Sequence, residues 1–267
     1  MRTRPPYLFS GSRDTVQSSY LELTGDVDTA TIEVAVHGRF TRQLCRDIVT
    51  TLDKCVAAYP SAIIADLHDF GDPDGASVPL WLSQRESAAE LAPPVQLVLC
   101  VPTATMVSHR LRRVGLHRHL PTYATMPEAR AAVRGGAPPS DVLQLRLPPE
   151  GASASRARDL VAEACATWDL PYLLHPASLI ISELVSNAAE HAGTNMLVTV
   201  SRRGAGLHLS VRDGDPRPPQ FLDPPPALDE PGHGLRVVHA YAAAWGSMPA
   251  RIGKVVWATV RQRRRRR

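Results

Sequence analysis

Glu183-Leu-Val-Ser-Asn187-Ala-Ala-Glu-His191 is the stretch that decides the C-terminal fold. Glu183, Asn187 and His191 recur every four residues, so on a helix they share one face. Leu179, Ile180, Leu184 and Ala188 can line the neighbouring core face. A carboxylate and an amide oxygen one turn apart are oxygen ligands of the kind magnesium accepts, alongside waters and phosphate oxygens. On this segment alone a solvated polar face is the simpler reading.

Two later segments change that balance. Val211-Arg-Asp213-Gly-Asp-Pro216 is a strand ending in an acidic turn, where a fixed Asp213 can accept a hydrogen bond from the exocyclic amine of adenine. Gly232-His-Gly234-Leu235 opens a predicted helix running to Trp245. Glycines at a helix start let backbone N–H groups approach phosphate oxygens, and the helix dipole favours the negative charge. Asp-Gly turns and lone G-x-G steps are each common. A helix with E-x-x-x-N, a strand ending in D-G, a loop and then G-x-G-L into a helix is one ordered arrangement.

The surrounding pattern has two halves. Beyond residue 141 it predicts a strand over 142–147, helices over 152–168 and 176–192, and strands over 196–202 and 207–212. The helix over 235–245 and a strand pair over 248–252 and 255–261, turned at Gly253, complete an α+β layer. Before residue 134, strands over 31–36, 62–67 and 95–101 alternate with helices over 43–59, 78–91, 104–114 and 126–133. That alternation predicts an α/β domain with a partly parallel sheet. Residues 1–30 are expected to be a loose leader, 135–141 a Gly/Pro linker and 263–267 a basic tail.

With these residues in place, residues 142–262 resemble the GHKL (Bergerat-type) ATPase superfamily, most closely its anti-sigma-factor serine kinases. Glu183 and Asn187 fit the N box, Asp213 the adenine-binding acidic turn, and Gly232, Gly234 and Leu235 the second glycine box. Gly253-Lys-Val-Val-Trp-Ala-Thr-Val260 is similar to the closing strand. The resemblance implies a two-layer ATP-binding domain in which Asn187 coordinates Mg2+ and Glu183 is the general base toward a serine hydroxyl. Asp213-Gly-Asp-Pro-Arg-Pro-Pro departs from the fuller glycine motif of larger members, and Pro224-Pro-Pro226 implies a short, stiff lid. No phosphoacceptor-histidine module is present, which argues against a sensor histidine kinase.

Residues 31–134 resemble a STAS domain, the anti-sigma-factor-antagonist fold, through Gly38-Arg-Phe40, Ile63-Ile-Ala-Asp66-Leu, Leu111-Arg-Arg-Val-Gly115-Leu and Tyr123-Ala-Thr-Met-Pro-Glu-Ala129. Active antagonists present a serine in an Asp-Ser-Ser-Gly turn. Here the stretch reads Asp74-Gly75-Ala76-Ser77, so a degenerate docking or autoregulatory module is expected, with Ser77 as an N-cap.

Composition limits the alternatives. At 267 residues and 44% hydrophobic, the chain is long enough for about two domains and rich enough for real cores. The net charge of +4 falls to −1 without Arg263–Arg267, so the basic balance belongs to the tail rather than to a nucleic-acid face. Lys54 and Lys254 are the only lysines among 30 basic residues. Cys45, Cys55, Cys100 and Cys165 include no CxxC pair, which points to reduced, buried thiols. His117 and His119 read as surface residues, and no P-loop occurs. No apolar run suits a membrane span and the N-terminus does not read as a signal peptide, so a soluble cytoplasmic protein is expected.

The implied partners are a sigma factor, a STAS-type antagonist, or both; such kinases often form a homodimer, and the sequence leaves the oligomeric state open. Two functions follow: an ATP- and Mg2+-dependent protein serine kinase, or a non-catalytic, nucleotide-gated binding module.

Overall fold

Leu44, Ile48, Leu52 and Cys55 fall at helical spacing, and all four are buried on α1 (Arg42–Ala57), whose N-cap Thr41 accepts a hydrogen bond from Leu44 N–H through its hydroxyl. The computed structural model describes residues 6–8, 19–26, 29–91, 93–113, 115, 119–134, 141–221 and 234–262. The chain divides into two units, one drawn from Gly11–Pro138 and the other from Arg4–Ser10 with Pro139–Arg267. Both are mixed α/β, each built on its own sheet, with seven α-helices among the described residues. No described helix is long and apolar enough to cross a membrane.

In the first unit, β2 (Tyr20–Asp26) pairs antiparallel with β3 (Thr31–Arg39). Parallel to β3 follow β4 (Ala62–Asp66), β6 (Gln96–Cys100) and β7 (Thr122–Tyr123), and β5 (Phe70–Gly71) extends beside the end of β3. Ile63, Ile64, Val98 and Leu99 are fully enclosed, as central strands of a parallel sheet demand. Helices α2 (Val78–Ala89), α3 (Met106–Arg113) and α4 (Met126–Arg134) complete the unit.

Two expectations for this half need correction. Residues 20–26 are not leader: Leu23 and Gly25 face inward, and the strand closes the sheet against β3. The stretch does alternate, but its inner face carries only Leu21 and Leu23 as large apolar residues, a weak signal. Ser77 heads α2 but makes no cap. Instead its hydroxyl accepts from Trp81 Nε1 at 3.2 Å, and the Asp72 carboxylate accepts from the N–H groups of Ala76 and Ser77 at 2.9 and 2.8 Å. Ser77 is fully buried, because the enclosed Trp81 indole requires a polar partner.

The second unit carries the sheet β1-β11-β12-β10-β9-β8. Its strands are β8 (Val142–Leu147), β9 (Met196–Arg203), β10 (Gly206–Asp213), β11 (Ala244–Pro249) and β12 (Lys254–Arg261), antiparallel throughout. The edge strand β1 (Tyr7–Leu8) pairs parallel to β11, and Tyr7 stacks on Trp257 with ring centroids 6.0 Å apart. This also corrects the expected leader. Helices α5 (Ser153–Thr167), α6 (Leu174–Asn187) and α7 (Gly234–Tyr241) pack their apolar residues with Val198, Val200, Leu209, Val211 and Ala258 in one core.

The helix expected to reach Trp245 ends at Tyr241. Trp245 lies instead on β11 opposite Ala258, where the sheet register overrides a helical period. Of the linker at 135–141, residues 135–140 lie outside the described residues, as does the tail at 263–267.

His208 on β10 is buried against Trp257, 5.7 Å between ring centroids, with Nδ1 3.5 Å from Thr259 Oγ1. Burial, followed by the charge of Arg203, pushes its pKa from 6.5 down to about 3. The folded state therefore resists a proton that the unfolded chain accepts. That penalty is absent above about pH 6.5 and grows as pH falls toward 3, at up to about 1.4 kcal/mol per pH unit. His208→Gln is expected to flatten the loss of stability between pH 6 and 4 in urea titrations. An unchanged slope would show that another group drives it.

Candidate functional site

Helix α6 is held by Ala177, Ile180, Ile181, Leu184 and Val185, all buried, which leaves Glu183 and Asn187 on its adjoining face. After Asn187 the backbone widens into a π-turn, Ala188–Ala192, which ends at Gly193 in the left-handed region. Such widened turns recur at functional sites because they re-aim side chains at a helix end. Ala188 remains in the core, while Glu190 and His191 project toward the solvent at a cavity rim.

That cavity has a volume of about 610 Å3. Glu183, Asn187, Asp213, Gly234 and Leu235, five of the six residues singled out in the sequence, line it together. The sixth, Gly232, lies outside the described residues, as does most of the expected lid. The volume is in the range of small-molecule and cofactor sites.

Gly234 begins α7 against α6. A Cβ there would come within 2.5 Å of Glu183 Oε2 and 3.5 Å of the Asn187 amide. A larger residue there would push the Glu183 carboxylate from its place beside the helix start. Asn187 Nδ2 is buried without a hydrogen-bond partner. Native interiors seldom leave such a donor unpaired, and a group entering the cavity with acceptor oxygens would satisfy it. Burial, followed by the nearby charge of Glu190, holds the Glu183 carboxyl above the ordinary carboxylate range.

At the cavity floor the sequence missed a partner. Asp213 and Lys254 stand opposite in the β10–β12 register, and both are buried. Lys254 Nζ donates to Asp213 Oδ1 and Oδ2 at 3.1 and 3.0 Å and to the Asp215 carbonyl at 3.1 Å. Asp213 Oδ1 also accepts from Asp215 N–H at 2.9 Å, closing a local turn. Burial pushes the Asp213 carboxyl up, and the Asp215 and Lys254 hydrogen bonds oppose it. The available signal was a lysine beside a Gly turn in a chain that uses arginine almost everywhere else. At the rim, Arg217 is paired with Asp215 at 2.9 Å and holds that carboxyl down at about 2.

The donor set fits an anionic, metal-associated ligand. Glu183 and Asn187 offer oxygens suited to magnesium, Asn187 Nδ2 needs an acceptor, and α7 points its first N–H groups from the glycine start.

No protein-family model matches the chain, and no curated protein matches it. Among solved structures, the chain is similar to an anti-sigma factor antagonist from Mycobacterium paratuberculosis. That likeness is 20% identical, covers 44% of this chain and 95% of that chain, and has a TM-score of 0.35.

Two outcomes are expected from the site. Lys254→Met should cost about 3–5 kcal/mol in urea unfolding, because it strands a buried carboxylate, and adding Asp213→Asn should restore part of the loss. Glu183→Gln should melt above the wild type at neutral pH. Ionising Glu183 in the folded state costs stability, a cost absent below about pH 4 and present once pH passes its raised pKa. The two melting curves should therefore converge in acid.

Proposed function

We propose that this protein binds ATP with magnesium in the second unit and phosphorylates a serine of a partner protein in a bacterial partner switch that controls transcription. The carrying observation is the junction of Glu183, Asn187 and Gly234 at one cavity, with the Asn187 amide unpaired. The N box, acidic turn and glycine box of the anti-sigma-factor serine kinases supply the family reading. On that reading the partners are a STAS-type antagonist and a sigma factor.

Asn187 would hold the phosphates and the metal, its Nδ2 as a donor to a phosphate oxygen and its Oδ1 as an oxygen ligand. Backbone N–H groups at the start of α7 meet the remaining phosphate charge. Magnesium, when bound, neutralises charge that builds on the phosphates. Glu183, made more basic by burial, accepts the proton of the serine hydroxyl as its oxygen bonds to phosphorus and the bond to the leaving phosphate breaks. Asp213, anchored by Lys254, offers its remaining lone pair to the amine of the base.

Two observations favour a second reading, a nucleotide-gated binding module with little catalysis. Both Asp213 oxygens already accept from Lys254, and Ser77 is sealed in the first unit and so is no acceptor in cis. The decisive experiment is calorimetry of the full chain with ATP and Mg2+, followed by transfer of labelled phosphate to STAS-type antagonists. Binding is expected, Asn187→Ala should weaken it, and Glu183→Gln should slow transfer about 100-fold or more. Absence of binding heat overturns the proposal. Binding without any transfer selects the second reading.

A further inference from the structure

The first unit holds a cluster that the nucleotide reading does not use. Asp66 ends β4 and Cys100 ends β6, and the two are direct register partners on adjacent parallel strands. His68 follows two residues after Asp66, on a turn tied back to β6 by the hydrogen bond from Leu67 N–H to the Cys100 carbonyl at 2.8 Å. Asp66 Oδ1 lies 2.6 Å from His68 Nδ1, and Cys100 Sγ lies 3.9 Å from that same nitrogen. One ligand atom from each of the three residues falls within 4.8 Å of the others.

The shared nitrogen decides between chemistries. A nucleophile–base–acid relay needs the two ring nitrogens of the histidine to serve different partners. Here the carboxylate and the sulfur both converge on Nδ1, so the arrangement surrounds a point instead of forming a chain.

We propose that Asp66, His68 and Cys100 form a three-ligand site for a zinc-class divalent transition metal at the C-terminal ends of β4 and β6. Zinc takes sulfur at about 2.3 Å, imidazole nitrogen at about 2.0–2.1 Å and carboxylate oxygen at about 2.0–2.2 Å, in a tetrahedron. Those lengths put ligand atoms roughly 3.2–3.6 Å apart. Relative to the imidazole nitrogen, the sulfur therefore closes by a few tenths of an ångström, and the carboxylate oxygen moves out by about twice as much. A hard ion such as magnesium or calcium is not served by a thiol, whereas imidazole with sulfur suits zinc.

The surroundings agree with a cation. Cys100 is enclosed, while Asp66 is about a quarter and His68 about two-fifths exposed, so an ion enters from solvent and a water takes the fourth position. Burial first, then the charges of Asp66 and Glu128 against that of Arg130, holds the Cys100 thiol up at about 12, so a metal binds by displacing its proton. The Arg130 guanidinium is already engaged by Glu33 through two hydrogen bonds of 2.7 Å. Asp66 Oδ1 additionally accepts from His68 N–H at 3.1 Å, which limits how far either ligand can wander before binding.

Cobalt(II), titrated into the untagged full-length protein, tests the site by its thiolate-to-metal charge-transfer absorption. One cobalt per chain with that band is expected, and zinc should displace it. Cys100→Ser should abolish the band, whereas Cys45→Ser should keep it. His68→Ala, at a largely solvent-facing side chain, should fold normally and weaken cobalt binding by more than about tenfold, the scale on which even supporting partners of metal ligands act. Zinc should also raise the melting temperature of the wild type and not of His68→Ala. The proposal falls if the wild type shows no band, if the band survives Cys100→Ser, or if His68→Ala binds cobalt as the wild type does.

Discussion

The arrangement of the second unit depends on a buried ion pair between two strands that are distant in sequence. Asp213 closes β10 and Lys254 opens β12, and the register sets them opposite each other. A buried pair of this kind does little for net stability, because desolvation consumes most of the attraction. Its strength lies in what it forbids. A slip of one residue would bury Asp213 without a cation and turn every core side chain of the strand to the other face. The same pair anchors the Asp215 turn through the lysine's third hydrogen bond. Strand register and cavity floor are thus fixed by one contact.

Around that floor, local costs accumulate at one place. The Glu183 carboxyl is held above its ordinary range, the Asn187 amide nitrogen is left without a partner, and α7 starts so close that a Cβ on Gly234 would meet the Glu183 carboxylate. The π-turn that follows Asn187 departs from the regular helical ladder at the same spot. Each feature lowers stability if the cavity is considered alone. Their concentration on facing ends of α6 and α7, backed by the continuous apolar core of α5, α6 and the sheet, is the pattern of a site preorganised for a ligand.

Much of this was legible in the sequence for definite reasons. The stripe Ile180, Leu184, Ala188 placed Glu183 and Asn187 on one helix face, and alternation along 196–202 and 207–212 gave the hairpin that carries Asp213. Lys254 escaped because opposition across strands depends on register, which a turn at Gly253 only hints at. Trp245 reads as helical because an apolar residue at helical spacing looks the same in either structure until a neighbouring strand claims it. Tyr7–Leu8 and Tyr20–Asp26 are illegible for the opposite reason, too little signal. The first is too short for any period, and the second has only Leu21 and Leu23 as large apolar residues on its inner face. Ser77 shows a further limit: a serine before a helix reads as a cap, and only the packed structure reveals that it serves the Trp81 indole instead.

Ser77 also bears on how the first unit can act. A serine can accept a phosphoryl group only if its hydroxyl reaches solvent, and this one is sealed beneath α2 with its lone pair given to Trp81. The Asp72 carboxylate fixes the preceding turn by two backbone hydrogen bonds, so exposing Ser77 would break three bonds and uncover a fully buried indole. At roughly 1 kcal/mol for each hydrogen bond and several for the indole, that opening is rare under native conditions. A phosphorylation switch at this position is therefore closed by packing rather than by the loss of one residue. Any regulatory work of the unit must run through its surface or through the polar cluster at the strand ends.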